Sequence, residues 1–282
     1  MKAFHIVVAL AVVTVGVDAR SAHASPIPMP QAQQADPADS LYRRARSALD
    51  DKNYDVAARL FDSILSRYPK SVYAPDALYW KGFALYRSGD LTGAALALDT
   101  QANLYPNAPT RADAGPLLIV VKGELAKRGD VVARREVDSA ASTGGACQDM
   151  EVRTAALDAL QQMDADRVLP LLRKVLLRRD DCSAPLRKNA LFILAQKGGT
   201  EREKILLDVA RSDPSTAVKN DAVFYLGQSN SDAAIDALQD VVQHGDELAV
   251  RNNALFALGQ IKGDRTRKIL AQVIADGTEP LE

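Results

Sequence analysis

The sequence predicts an all-α fold, an α-solenoid of helical hairpins, and three observations carry the prediction. The C-terminal half aligns with itself in four copies, starting at Val152, Leu186, Val218 and Val250 with offsets of 34, 32 and 32 residues. A second periodicity, with an offset of 37, runs between Asp39 and Pro106. Within the copies apolar residues recur at helical spacing, and breakers such as "SNSD" (229–232) part the predicted helices. Periods of about 20–50 residues belong to stacked units, each needing its neighbour to bury an apolar face.

The chain starts in a different style. Lys2 supplies a positive charge, Phe4 to Val17 is mostly apolar, and Ala22-His23-Ala24 precedes Ser25-Pro26. This pattern predicts a signal peptide over 1–24, and the apolar run is shorter than the about 20 residues of a membrane helix. Export to the periplasm or beyond is therefore expected, with no membrane span after signal removal. No cysteine stands near the cleavage point to take a lipid. Residues 25–38, "SPIPMPQAQQADPA", hold four prolines and almost no large apolar side chain, which predicts a disordered tether. With 35 basic and 36 acidic residues, the overall charge gives no reason to expect nucleic acid or an anionic membrane surface as partner.

The first repeat region spans 39–141. Tyr42 aligns with Tyr79, Ala45 with Gly82, Tyr54 with Leu91, Ala57 with Ala94, Phe61 with Leu98, and Tyr68-Pro69 with Tyr105-Pro106. Small residues at the helix contacts and a closing proline resemble tetratricopeptide repeats. The "SVYAPD" and "RYP" stretches are similar to exported members in bacterial envelopes, including outer-membrane assembly and cell-division accessory families. A third, degenerate pair is predicted from "PLLIVVKGELAKRGD" and "VVARREVDSA", with Pro116 in the first helical turn and the apolar run capping the stack. If the family geometry carries over, Tyr42, Arg46 and Asp50, then Tyr79, Phe83, Tyr86 and Arg87, face the concave groove. Aromatic and Arg side chains are the types that anchor peptides, although rings also fill gaps in a short stack. Trp80, the only tryptophan, is expected to pack.

The second region spans 147–279. Ala156, Ala190, Ala222 and Ala254 stand four after each start, and Leu160, Leu194, Leu226 and Leu258 eight after. Leu172, Leu206, Leu238 and Leu270, then Val175, Val209, Val241 and Val273, mark a second amphipathic helix in every copy. These columns, with Pro170 in a second helix, resemble about four short HEAT repeats, a fold that serves many roles. One after each start is a cation, Arg153, Arg187, Lys219 or Arg251, with Asp149, Asp181, Asp213 and Asp246 in the preceding loops. The expected role is a structural ladder between adjoining repeats. Gln162, Gln196, Gln228 and Gln260 end the first helices and are expected to satisfy loop carbonyls.

Chemistry is sparse. After signal removal the only histidine is His244, at a predicted helix end where capping is the ordinary role, and no phosphate-binding, nucleophile-elbow or zinc motif occurs. The run Arg173, Lys174, Arg178 and Arg179 reads as a solvated helix face rather than a polyanion site. The expected function is a non-catalytic exported adaptor or scaffold for a protein or peptide partner in the bacterial envelope, without metal or cofactor. Two alternatives follow from the same resemblances: a chromophore lyase or chaperone, since similar short HEAT repeats occur in enzymes that attach bilins, and a structural envelope component associated with outer-membrane assembly or peptidoglycan. Cys147 and Cys182 occupy nearly equivalent loops of adjacent copies, and in an oxidising compartment they are predicted to form a disulfide rather than stay free. Closing a loop of this length stabilises by about 4 kcal/mol in the chain-entropy view. Thiol labelling of the unfolded, unreduced protein is expected to find no reactive thiol; two per chain would rule the bond out.

Overall fold

The structure, a computed structural model, describes residues 36–142, 149–197 and 201–275. The predicted signal peptide, most of the tether and Cys147 lie outside the described residues. Fourteen α-helices and no strand occur among them: α1 Asp39–Asp50, α2 Tyr54–Arg67, α3 Ala74–Ser88, α4 Leu91–Leu104, α5 Arg111–Lys127, α6 Val131–Ser142 and α7 Met150–Gln161 lead. They are followed by α8 Ala165–Leu176, α9 Ala184–Lys197, α10 Arg202–Ser212, α11 Thr216–Ser229, α12 Asp232–His244, α13 Leu248–Gln260 and α14 Asp264–Ala275. The chain is the all-α stack of hairpins that its repeats predict.

Several hairpins turn by one local device. A residue in the left-handed region ends the first helix, and an oxygen-bearing side chain opens the second. Gly89, at φ 93°, precedes Asp90, whose carboxylate accepts from the Gly93 amide at 2.9 Å. Gly129, at φ 98°, precedes Asp130, which accepts from the amides of Val132 and Ala133. Asn230, at φ 50°, precedes Ser231, which accepts from the Ala234 amide at 3.1 Å. Burial then selects the small residues: Ala45, Ala57 and Ala94 are fully buried, and a methyl on Gly82 would lie 2.7 Å from Leu98.

Two boundaries differ from the sequence prediction. Asp36, Pro37 and Ala38, placed in the tether, belong to the folded module: Ala38 is buried, and the Asp36 carboxylate accepts from the Ala38 amide, the Ser71 hydroxyl and the Val72 amide. Burial alone would raise the Asp36 pKa, and these three donors together hold it below the usual carboxylate value. Pro116 stands inside α5 rather than in its first turn, because the helix already starts at Arg111. The ring costs one backbone hydrogen bond to the carbonyl four residues earlier.

The apolar run of α5 joins two cores instead of capping one. Leu117, Leu118 and Val121 pack with Leu91, Ala94 and Leu98 of α4, whereas Ile119 belongs to the core of the later helices. On that second side α5 lies against α7 at two glycines. A methyl on Gly123 would come 2.8 Å from Cβ of Ala159, and one on Gly115 2.9 Å from Cγ2 of Val152. The largely buried Lys122 reaches Asp99 of α4 at 3.0 Å and Glu136 of α6 at 3.2 Å. The third hairpin is a shared joint.

From α7 onward, the expected cation ladder ties the loops together. Arg187 and Asp213 have fully buried side chains and meet bidentately, Nε to Oδ2 at 2.7 Å and Nη2 to Oδ1 at 3.0 Å. Arg187 also donates to the Asp180 carbonyl and the Ser183 hydroxyl, so one guanidinium clamps its own entry loop to the next. In the next repeat Lys219 meets Glu247 at 2.7 Å, so Glu247 takes the role expected of Asp246. Glu247 also accepts from the Thr216 hydroxyl, and the bonds from Lys219 and Thr216 depress its pKa. Asp181 is not the partner of Arg187; its neighbour Asp180 supplies a carbonyl. Arg251, with no further repeat among the described residues, donates to the Val242 carbonyl at 3.1 Å.

Removing one member of a buried pair leaves an uncompensated charge, at a cost of about 3–5 kcal/mol, whereas replacing both by apolar groups is often close to neutral. Urea unfolding is accordingly expected to show Arg187→Met strongly destabilised, and Arg187→Met with Asp213→Leu recovering most of the loss. Equal losses in the single and double variants would contradict the clamp.

Candidate partner-binding site

The structure divides the seven residues expected to face the groove. Tyr42 turns inward: its ring stacks on Tyr73 at 4.5 Å between centroids and meets Phe61 edge-on at 6.0 Å. Both are contacts of the first core cluster, which explains Tyr42 as packing. Tyr79 and Tyr86 are half-buried against the α4–α5 core, and burial raises the Tyr79 pKa, helped by the charge of Asp113 and opposed by that of Arg46. Asp50 is exposed at the end of α1.

Arg46, Phe83 and Arg87 come together, and Trp80 is their centre. The Arg46 guanidinium carbon sits 3.8 Å above the Trp80 ring. Trp80 meets Tyr79 and Phe83 edge-on at 4.8 and 5.9 Å. Arg87 covers Tyr54 at 4.9 Å and Phe83 at 5.7 Å, and Tyr54 meets Phe83 edge-on. One cluster thus spans α1, α2 and α3, with a cation at each end. Trp80 and Tyr54 were missed as members because the sequence places them one residue from, or on another helix than, the expected face.

Chemically, the cluster sets two stacked guanidinium groups beside aromatic rings. Stacking engages the face of a guanidinium and leaves its N–H groups at the edge. Nε of Arg46 is buried and has no hydrogen-bond partner among the described residues.

Elsewhere, several charged side chains pair internally, although Gln101 Oε1 and Arg202 Nε are likewise buried without a hydrogen-bond partner. Arg173 meets Glu201, Arg178 meets Asp180, and Arg179 donates to the Leu176 carbonyl and to Ser212, so the basic run is tied into its own surroundings. His244 pairs with Asp240 one turn earlier at 3.0 Å in the last turn of α12. Among the described residues no three His, Cys, Asp or Glu side chains form a metal-binding group, and no helix is long and apolar enough to cross a membrane. The glutamine column departs from expectation. Gln162, Gln196, Gln228 and Gln260 are exposed, and the bond found there runs from Gln161 to Gln196, not to a loop carbonyl. The 3.6-residue period puts this column on the outer stripe, four residues after Asp158, Phe192, Phe224 and Phe256.

The two halves match two different families. Residues 34–165 match the YfiO family of outer membrane lipoproteins, and residues 203–281 match HEAT repeats. No curated protein matches the chain. The YfiO match takes in the whole cation–aromatic cluster and runs through α7, beyond the joint at α5. The HEAT match covers the repeats that carry the Lys219–Glu247 rung. The chain therefore carries one segment similar to YfiO outer membrane lipoproteins and another similar to HEAT repeats.

Because Trp80 is the only tryptophan, its fluorescence reports on the cluster directly. Arg46→Ala is expected to red-shift the emission by admitting water to the indole face, at a stability cost of about 0.5–1 kcal/mol. Unchanged emission would show that the guanidinium does not cover the ring in solution.

Proposed function

We propose that the chain is a non-catalytic adaptor of the bacterial cell envelope that holds a peptide segment of a partner protein on the Arg46–Trp80–Phe83–Arg87 surface. The observation that carries this reading is the preset Arg46, held 3.8 Å above the half-buried Trp80 ring, with the exposed Arg87 stacked on Tyr54 and Phe83 at the other end of the same cluster. A carboxylate or backbone carbonyl next to an apolar or aromatic side chain is the ligand chemistry that satisfies both parts. Preset side chains lower the ordering cost of binding. The similarity to outer membrane lipoproteins supports an envelope setting, as does the signal-like N-terminus.

The reading is tested by crosslinking the full chain in its native envelope and comparing wild type with Tyr79→Ala plus Phe83→Ala. The expected outcome is loss of the principal crosslinked protein, with the melting profile still cooperative. Undiminished crosslinking in the folded variant would remove this surface from consideration.

A further inference from the structure

The solvent-facing stripe of α9, α11 and α13 carries a second pattern. Phe192, Phe224 and Phe256 stand at 32-residue intervals and are 40%, 57% and 70% exposed. One turn later on each helix comes an exposed glutamine, Gln196, Gln228 or Gln260. The first copy has Asp158 in the phenylalanine column and still forms its helix, so the fold does not require an aromatic ring there. That separates this column from the buried Ala and Leu columns, which hold in all four copies.

Between α11 and α13 the stripe deepens into a cleft of about 300 Å³, bordered by Phe224 and Phe256, with Gly227 and Ala257 at the helix contact and Gln228 and Gln260 alongside. A methyl on Gly227 would stand 3.0 Å from Cβ of Ala257, so small residues bring the two helices together. Polar groups before the phenylalanines are already joined rung to rung: Asn189 donates to Asp158, Asn253 to Asn220, and Lys188 pairs with Asp221. The side chains of Gln228 and Gln260 make no hydrogen bond among the described residues. What remains open to a ligand is aromatic face and neutral amide, in a chain where a quarter of the residues are charged.

We propose that this ladder binds an uncharged, proline-rich segment of a partner protein in the polyproline II conformation, one ligand turn per repeat. Packed helices lie about 8–10 Å apart, which sets the rung spacing. A polyproline II turn of three residues rises about 9.3 Å, presenting one side chain per rung on the same face. A β-strand would turn every third side chain away, and an α-helix repeats at about 5.4 Å. The polyproline II backbone has no internal hydrogen bonds, so its carbonyls are available to the glutamine amides, while its rings lie against phenylalanines. The neutral stripe complements a neutral ligand. This surface is separate from the Arg46 cluster, and neither reading depends on the other.

The test titrates the full chain against a fluorescent peptide of consecutive Pro-Pro-Leu triplets, followed by anisotropy. Saturable binding that is insensitive to salt is expected, weakened at least about tenfold by Phe224→Asp plus Phe256→Asp. That pair introduces the residue type which the first copy tolerates at Asp158. Gln228→Ala plus Gln260→Ala should also weaken binding, and Tyr79→Ala plus Phe83→Ala should leave it intact. No binding, or equal binding of Gly-Gly-Leu triplets, would overturn the proposal. So would tighter binding of an amphipathic-helix peptide, or concentration-dependent self-association that the double Asp variant abolishes, which would make a second copy the occupant.

Discussion

Arg187 and Asp213 solve a problem that apolar packing cannot. In a stack of near-identical hairpins, Ala190, Ala222 and Ala254 are fully buried in one column, and Leu194, Leu226 and Leu258 in another. Such columns favour stacking but discriminate weakly between a correct register and a slipped one. A buried guanidinium discriminates strongly, because any displacement from Asp213 leaves a charge out of water without its counterion, at about 3–5 kcal/mol. The same guanidinium holds the Asp180 carbonyl and Ser183, so the register of one helix pair is fixed through two loops at once. Lys219 and Glu247 repeat the device less deeply, and Arg251 keeps only a carbonyl contact. The ladder weakens toward the end of the described stack, where fewer hairpins depend on it.

The joint at α5 transmits that order to the first module. A helix of a terminal hairpin needs one apolar side, but α5 presents two, to α4 and to α7. It achieves this with glycines on the α7 side, where Gly115 and Gly123 let the backbones approach, and with Ile119 among its longer apolar residues reaching the second core. Lys122 then binds α5 to both α4 and α6 through carboxylates. A YfiO-like match that continues through α7 is what such a joint would produce, since α7 completes the packing surface of the third hairpin. The cation–aromatic cluster and the phenylalanine ladder are accordingly carried by one packed body.

Much of this was legible in the chain. The hairpin count of the second half, the Ala and Leu columns, the Ala57 and Ala94 contacts and the cation ladder all follow from periodicity, because a period states which residues share a face. What periodicity does not state is which faces meet across helices. Trp80 is expected to pack, and it does, yet its central place in the cluster comes from Arg46 on α1, a residue 34 positions away that no spacing rule connects to it. Glu247 displaced Asp246 because reach to Lys219 decides the partner, and a one-residue shift is invisible in a loop. Asp36 looked like tether since its neighbours are proline and alanine; its three donors come from Ala38 and from a loop 35 residues on. The phenylalanine column was readable in the alignment, but only the observed burial shows that it points outward.

The way columns break is itself informative about function. A column that holds in every copy reports a demand made by each rung on the next, and the fully buried Ala156 and Leu160 obey it in the first repeat as in the last. A column that changes from Asp158 to three exposed phenylalanines answers to something other than stacking, since both residue types sit on intact helices. Exposed aromatic rings carry a standing cost in solubility that a purely structural stripe would shed by using the polar residue throughout. The N-terminal cluster differs in chemistry, with cations capping its rings, whereas the C-terminal stripe pairs its rings with neutral amides. Two surfaces so unlike on one joined stack present two different chemistries, and the stacking rungs that hold them do not by themselves require either.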